Sequence, residues 1–212
     1  IKPGEFAAIV GPSGSGKSTL IRLLLGFDRP LSGAILYDGH DLSGVDVRAV
    51  RRQIGVVLQN GQLMSGTILS NITGSSMLTI DDAWDAARRA GLAEDIEMMP
   101  MGMHTMISEG ASTISGGQKQ RILIARALVK KPRVIIFDEA TSALDNQTQA
   151  VVSESLENLH ATRIVIAHRL STIIKADRIF VVEAGRVVEC GNYEELIKRG
   201  GLFKKMAERQ IA

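Results

Sequence analysis

The sequence predicts an α/β fold with a mostly parallel sheet, into which a helical segment is inserted. Near both ends of the chain, short apolar runs are separated by helix-like segments. Most of these runs do not alternate apolar with polar residues, which is typical of strands buried on both faces of a sheet. Between residues 59 and 132 the strand signals disappear. We therefore predict one domain over residues 1–212, with an α/β core at 1–58 and 133–212 and a helical subdomain at 59–132.

A glycine-rich loop follows the first predicted strand. Residues 11–19 match G-x-x-x-x-G-K-[ST], the P-loop pattern. Such a loop points backbone N–H groups at a phosphate chain, Lys17 can reach the β- and γ-phosphates, and the Ser18 hydroxyl can bind Mg²⁺. A helix predicted at 17–25 would place the phosphates at its N-terminus. The nucleotide-binding residues predicted here are Gly11, Ser13, Gly14, Ser15, Gly16, Lys17, Ser18 and Thr19.

The other elements are predicted in chain order from apolar periodicity and from Gly and Pro breaks. In the first part of the core these are strands at 34–37 and 54–58 and helical turns at 47–53. The first helix is expected to place Leu20, Leu23 and Leu24 on one face. In the subdomain they are helices at 79–90, 92–99 and 118–130. The second part of the core has strand 133–137, helix 145–159, strand 163–167, a hairpin of strands 178–183 and 186–190, and a mostly helical tail to 210.

The composition is that of an ordinary globular protein, with 45% hydrophobic and 23% charged residues. The net charge is +2 and there is no dense basic run, which argues against nucleic acid as a partner. The single cysteine, Cys190, excludes an internal disulfide and fits a reducing compartment. No apolar run approaches the roughly 20 residues of a membrane helix, so the chain by itself is expected to be soluble.

Two carboxylates follow the apolar strand 133–137. A carboxylate at the C-terminal end of a parallel strand faces the crevice in which the P-loop lies. Asp138 is suited to hold Mg²⁺ through water, and Glu139 can orient or deprotonate the water that attacks the γ-phosphate. The alternative, a pair of acids that cap the next turn, is disfavoured by the preceding apolar strand and the P-loop.

The most discriminating segment is Ser115-Gly116-Gly117-Gln118. A serine and two glycines at a predicted helix start form a second place where backbone N–H groups favour an anion. With Ile114 before it, the segment resembles Leu-Ser-Gly-Gly-Gln, the signature of the nucleotide-binding domain of ATP-binding cassette (ABC) transporters. Isoleucine in place of leucine conserves volume. The resemblance covers essentially the whole chain and implies a P-loop NTPase core with an inserted helical subdomain.

The resemblance also implies roles for residues outside these motifs. Gln59 is similar to the Q-loop glutamine, which contacts Mg²⁺ and relays to the membrane partner; the alternative is a polar strand cap. Residues 142–145 resemble the D-loop, which crosses to the partner subunit, and His168 resembles the switch histidine at the γ-phosphate. The implied catalytic residues are Glu139, His168 and Gln59; the implied Mg²⁺ ligands are Ser18, Gln59 and Asp138; and the further nucleotide-binding residues are Ser115, Gly116, Gly117, Gln118 and Asp145.

The resemblance implies a motor domain that binds ATP with Mg²⁺ and hydrolyses ATP. Two copies would sandwich two ATP molecules, because the signature of one copy would cap the γ-phosphate held by the P-loop of the other. Residues 62–68 and 191–196 are similar to exporter sequences, and 108–110 match in part a Gly-Glu loop that touches coupling helices. The chain most resembles bacterial peptide or bacteriocin exporters. The expected partners are transmembrane domains on the same full-length polypeptide, with this domain at the cytoplasmic face of the cell membrane.

The family's adenine-stacking aromatic residue has no match upstream of the P-loop. Only ten residues precede Gly11, and their one aromatic residue, Phe6, lies in the first strand. The chain is therefore interpreted as a fragment whose antiparallel β part is truncated at the N-terminus, and weaker ATP binding than that of the complete domain is expected.

Three other functions compete with the transporter ATPase. A non-transport ABC ATPase of the DNA maintenance or repair type would carry a long coiled coil between P-loop and signature, and no sustained heptads occur there. A P-loop small-molecule kinase would leave residues 115–118 and His168 without a role. A purely regulatory nucleotide-binding module is disfavoured because four residues suited to hydrolysis occur together: Gln59, Asp138, Glu139 and His168. The transported substrate is not predicted, because its contacts belong to transmembrane segments.

Overall fold

The structure is a computed structural model that describes residues 1–108, 114–138, 145–167 and 170–211. The chain is divided into two units. The first unit comprises Ile1–Arg52 and Thr162–Ala212, and the second comprises Gln53–Ala161. The sequence-based subdomain boundaries at 59 and 132 stay a prediction.

The elements follow one another as helices and strands in alternation over most of the chain. In order they are β1 (Phe6–Val10), α1 (Lys17–Leu24), β2 (Leu36–Tyr37), β3 (His40–Asp41), α2 (Val47–Arg51), β4 (Ile54–Val57), β5 (Gly66–Thr67), α3 (Ile68–Thr73), α4 (Ile80–Arg89), α5 (Ala93–Glu97), β6 (Met106–Ile107), α6 (Gly116–Leu128), β7 (Val134–Asp138), α7 (Asn146–Asn158), β8 (Thr162–Ile166), α8 (Leu170–Ile173), β9 (Arg178–Glu183), β10 (Arg186–Gly191), α9 (Tyr193–Arg199) and α10 (Leu202–Ile211). No helix in the described ranges has the length and apolar character needed to cross a bilayer.

In the first unit, β1 is the central strand, and all five of its residues are buried. It pairs in parallel with β8 on one side and with β9 on the other, so that Ala8 lies opposite Val165 and Ile179. A strand with neighbours on both edges and buried faces needs apolar residues throughout, which explains its uninterrupted apolar run. The predicted hairpin is also present: β10 pairs antiparallel with β9. Its turn residues Ala184 and Gly185 both have positive φ, as a tight hairpin turn requires.

In the second unit, β4 and β7 pair in parallel, with Gly55 opposite Ile135. Helix α6 packs against β4, and the two backbones come very close. A Cβ on Gly55 would lie 2.4 Å from the Ala127 carbonyl oxygen, which only a glycine avoids. The predicted α/β class with a mostly parallel sheet is therefore confirmed.

The prediction that residues 59–132 contain no strands is wrong. Strands β5 and β6 form a two-residue antiparallel pair, in which Gly66 lies opposite Ile107. Such short strands leave no alternating pattern, and their pairing depends on residues about 40 positions apart in the chain. Helix α3 directly follows β5 and was not predicted either; its start is capped by Thr67, whose hydroxyl accepts the Ser70 N–H at 3.0 Å. Helix α8 also has only four residues and was missed.

Candidate functional site

The P-loop connects the buried strand β1 to helix α1. Gly14 and Gly16 have φ angles of 75° and 102°, in the left-handed region that side chains avoid. Gly16 is also the N-cap of α1, so no side chain caps the first turn of this helix. The resulting helix N-terminus presents backbone N–H groups and a positive dipole end, which together favour an anion.

Lys17 is buried at the start of α1, with 7% of its surface exposed. Its ammonium donates to the carbonyl oxygens of Gly11 at 2.9 Å and Pro12 at 2.8 Å. It also lies 3.4 Å from the Ser15 hydroxyl oxygen. The carbonyl oxygens of the loop thus hold the buried positive charge of Lys17. A phosphate oxygen that enters the loop can accept a hydrogen bond from this ammonium, in place of a carbonyl oxygen or in addition to it.

The β9–β10 hairpin packs directly against the P-loop. The Gly185 N–H donates to the Ser15 carbonyl oxygen at 2.9 Å. A Cβ on Gly11 would lie 2.1 Å from the Val182 carbonyl oxygen. The first glycine of the loop is therefore required by its contact with β9. Sequence reasoning missed this support, because about 170 residues separate the partners and no local pattern marks them.

Two side chains hold the other end of α1, and sequence reasoning missed both. The Tyr37 hydroxyl donates to the Leu24 carbonyl oxygen at 2.9 Å, and burial raises the pKa of this tyrosine. The Arg51 guanidinium donates to the carbonyl oxygens of Leu25 and Gly26 at 2.8 and 2.9 Å. These donors satisfy the last carbonyls of the helix and place a cation at its negative end. They fix the helix that carries Lys17.

The two predicted Mg²⁺ ligands of the second unit lie at the carboxyl ends of the neighbouring strands β4 and β7. Asp138 is the last residue of β7, and only 7% of its surface is exposed. Gln59 follows the end of β4 by two residues and is exposed. Because β4 and β7 are parallel, with Val57 opposite Phe137, the two polar side chains are brought to one end of this strand pair. Ser18, the third predicted ligand, lies exposed in the first turn of α1.

The predicted signature lies at the start of α6. The Ser115 hydroxyl accepts the Gln118 N–H at 3.1 Å, and the Gln118 side-chain oxygen accepts the Ser115 N–H at 3.0 Å. The amide nitrogen of Gln118 donates to the Asp95 carboxylate at 2.8 Å. Gln118 thus caps and anchors the helix start, and its predicted contact with nucleotide stays a prediction. Gly116 is exposed, and no described atom lies within 4 Å of the place where its Cβ would be.

Asp145, predicted to bind nucleotide from the D-loop, is the N-cap of α7. Its carboxylate accepts the Thr148 N–H at 2.9 Å and the Thr148 hydroxyl at 2.8 Å. The predicted catalytic residues Glu139 and His168 lie outside the described residues, as do residues 142–144 of the predicted D-loop. Their roles therefore stay predictions.

Comparison with known proteins agrees with this geometry. Residues 1–142 match the family model described as ABC transporter. The chain is 48% identical over 215 residues to the exotoxin translocation ATP-binding protein PaxB of Pasteurella aerogenes, in a match that covers 99% of this chain and 30% of PaxB. It is 44% identical over 215 residues to the mycobactin import ATP-binding/permease protein IrtB of Mycolicibacterium thermoresistibile, covering 100% of this chain and 37% of IrtB.

Among solved structures, a bacterial Atm1-family ABC exporter with ATP bound matches the fold with a TM-score of 0.94 and 42% identity. This match covers 100% of the present chain and 38% of the exporter chain. The chain therefore spans about a third of the length of these relatives. On the family match, the level of identity and the P-loop geometry, the chain belongs to the ABC transporter family, as a nucleotide-binding domain.

Proposed function

We propose that this chain is the ATP-hydrolysing motor of an ABC exporter, which dimerises around two ATP molecules and drives transport by associated transmembrane domains. The observation that carries the proposal is the P-loop. A buried lysine ammonium is held by loop oxygens at the start of a helix that no side chain caps. Positive charge and backbone N–H groups at one point suit the β- and γ-phosphates of a nucleotide.

The residues present also fit Mg²⁺ bound together with the nucleotide. Ser18, Gln59 and Asp138 offer hydroxyl, amide and carboxylate oxygens, the ligand types that Mg²⁺ prefers. When bound, the ion neutralises charge on the phosphates and polarises them for attack. Within the chain, Lys17 stabilises negative charge on the phosphates, Glu139 orients or deprotonates the attacking water, and His168 contacts the γ-phosphate.

A second copy of the chain is proposed to complete each site through Ser115 and Gly116. These two residues are exposed at the N-terminus of the 13-residue helix α6, where the open space around Gly116 allows close approach of a ligand. The Ser115 hydroxyl and the Gly116 backbone N–H would cap the γ-phosphate held by Lys17 of the other copy. The bond between Gln118 and Asp95 supports this role, because it fixes the helix end that presents the N–H groups.

The proposed partners in the membrane are transmembrane domains on the same full-length polypeptide. IrtB is named as an ATP-binding/permease protein, and this chain covers 37% of it. We propose the same arrangement here, with the nucleotide-binding domain at the cytoplasmic face of the cell membrane. The names of the relatives are those of transport proteins, which favours this function over a DNA repair ATPase or a small-molecule kinase.

Release of phosphate from MgATP tests the proposal. Glu139→Gln should retain ATP binding and lower turnover by roughly 10²- to 10⁴-fold, the usual contribution of a general base. Lys17→Ala should lose most ATP binding in a calorimetric titration. Glu97→Gln and Lys175→Ala are matched controls at exposed positions and should resemble the unaltered chain. Unchanged phosphate release by Glu139→Gln would remove this residue from hydrolysis, and an unaltered chain that binds ATP without hydrolysing it would refute the hydrolase.

A further inference from the structure

A single arginine joins the signature helix α6 to the segment that follows Gln59. The Arg126 Nε donates to the Asn71 carbonyl oxygen at 2.6 Å, and Nη2 donates to the Asn71 side-chain oxygen at 2.7 Å. Nη1 donates to the Gln62 carbonyl oxygen at 3.2 Å. One planar guanidinium therefore holds both ends of residues 62–71. Hydrogen bonds from a charged donor belong to the stronger class of protein hydrogen bonds.

The Asn71 side chain binds backbone groups within the same segment, residues 62–71. This side chain is fully buried, with 0% of the residue exposed. Its oxygen accepts the Met64 N–H at 2.9 Å, and its nitrogen donates to the carbonyl oxygens of Met64 at 2.8 Å and Thr67 at 3.1 Å. Together with Arg126, every polar atom of the Asn71 side chain is engaged, so the loop and the start of α3 are held as one unit.

The contacts continue along one face of α6 toward the signature. Lys119, Leu123 and Arg126 are four and three residues apart and therefore lie on the same side of the helix. The Lys119 ammonium donates to the Gln62 side-chain oxygen at 2.7 Å. A Cβ on Gly61 would lie 2.8 Å from a Leu123 methyl carbon. The chain leaving Gln59 thus lies directly on the helix that Ser115 begins.

We propose that Arg126 is a positioning residue that makes residues 61–71 and the signature helix one mechanical body. A displacement of the chain just after Gln59 is then transmitted to Ser115 through packed and hydrogen-bonded contacts, without a flexible joint between them. This role rests on the proposed ATPase function, because it concerns the placement of Ser115 against a second copy. It assigns no contact with nucleotide to Arg126 itself.

Arg121 provides a matched control on the same helix. Its guanidinium donates to the Gly91 carbonyl oxygen at 3.1 Å and pairs with Asp95 at 3.0 Å. Gly91 lies between α4 and α5 and Asp95 lies in α5, so neither partner belongs to residues 61–71. An Arg→Lys change at either position keeps the charge and removes the fork-shaped donor set, so the two variants differ only in which contact they loosen.

Hydrogen–deuterium exchange of the nucleotide-free chain tests whether Arg126 holds residues 61–71 on α6, without depending on ATP hydrolysis. Arg126→Lys should speed exchange of the amides at 61–71 at least about tenfold and leave β1 unchanged. Arg121→Lys should speed exchange at 91–97 and not at 61–71. Lys119→Ala removes an exposed contact, is expected to fold in any case, and should speed exchange at 61–64 alone. Unchanged exchange at 61–71 in Arg126→Lys, or an equal effect of Arg121→Lys there, would overturn the proposal. If Arg126→Lys does not fold, unchanged exchange at 61–64 in Lys119→Ala would overturn it.

Steady-state turnover supplies the second readout. Arg126→Lys should lower kcat for ATP about 2- to 30-fold, and leave KM within about twofold, because the P-loop is untouched. A rise in KM that accounts for the whole effect would overturn the positioning role. If the unaltered chain shows no hydrolysis, the ATPase proposal fails. The exchange result still decides whether Arg126 holds residues 61–71 on α6.

Discussion

The substitution Gly11→Ala tests whether the P-loop is shaped by its contact with β9. The added Cβ would lie 2.1 Å from the Val182 carbonyl oxygen and 2.8 Å from the Ser15 hydroxyl oxygen. Ordinary contacts begin near 3.4 Å, so the oxygen and the loop must separate by about 1.3 Å, the difference between 3.4 and 2.1. The Val182 oxygen cannot move alone, because β9 is paired on one side with β1 and on the other with β10.

The expected magnitude follows from the kind of atom that is displaced. Overpacking of a core costs about 1–3 kcal/mol, and the upper end applies when backbone has to shift. We expect Gly11→Ala to lower the free energy of unfolding by about 3 kcal/mol, or to lower Tm by about 6–12 °C for a chain of this size. ATP affinity should fall as well, because Ser15 and the Gly11 carbonyl both contact the Lys17 ammonium.

Gly14→Ala is the control within the same loop. Gly14 has a φ of 75°, and the described part of the chain has no atom within 4 Å of its would-be Cβ. The only cost of Gly14→Ala is then that alanine must adopt the left-handed backbone conformation, which destabilises the chain by about 1–2 kcal/mol. Urea unfolding followed by circular dichroism should rank the variants as unaltered chain, Gly14→Ala and Gly11→Ala, in falling stability. Equal stability of the two variants, or the reverse order, would refute the contact-based explanation.

Two further predictions concern helix caps. Gln118→Ala should lower the free energy of unfolding by about 1 kcal/mol, the usual worth of a cap, and leave ATP affinity of the single chain unchanged in a calorimetric titration; a large loss of affinity would contradict the capping role. Asp82 accepts the N–H of Thr79 at 2.9 Å and the Thr79 hydroxyl at 2.8 Å, and these bonds, the backbone one first, lower the pKa of Asp82. Asp82→Asn should therefore be less stable than the unaltered chain above about pH 4, where the unfolded carboxyl is ionised, and the difference should vanish as the pH falls through the lowered pKa of the folded state. Thermal unfolding between pH 2 and 7 measures this, and a difference that persists at the lowest pH would contradict it.

The sequence predicted most of the elements that present the site, because their signals are local. The P-loop glycines, the apolar strand before them and the carboxylate at the end of β7 can all be recognised within a few residues. Asp138 was expected just beyond its strand and is its last residue, a difference of one position. The serine and glutamine of the signature also form an S-x-x-Q capping box, a local pattern from which the role of Gln118 in the helix cap could have been predicted.

The residues that α1 buries most deeply lie beside the leucine face predicted from the sequence, for a reason that the P-loop explains. The leucines at 20, 23 and 24 were predicted to share one face of the helix, and all three are half-buried. Ile21 and Leu25 are buried, at 1% and 4% exposure. They lie four and eight residues after Lys17, which the loop holds buried. The P-loop thus determines which face of α1 is turned inward, and the positions of the leucines alone do not predict this face.

The contacts that fix the site from a distance could not be predicted from one sequence. Gly185 supports Ser15, Arg51 caps α1, and Arg126 holds Asn71, over separations of 170, 26 and 55 residues. Each partner is an ordinary residue within its own element, and nothing in its immediate neighbours marks it. Such pairs become visible only when the topology brings the elements together.

The most direct test of the central claim is the solution mass of Glu139→Gln with and without MgATP, by light scattering on a sizing column. The account predicts a monomer without nucleotide and a dimer with it, because two P-loops and two signatures would hold two unhydrolysed ATP molecules. Adding Lys17→Ala to the same variant should keep it monomeric. A Glu139→Gln chain that binds MgATP in a calorimetric titration and stays a monomer would contradict the ATP sandwich.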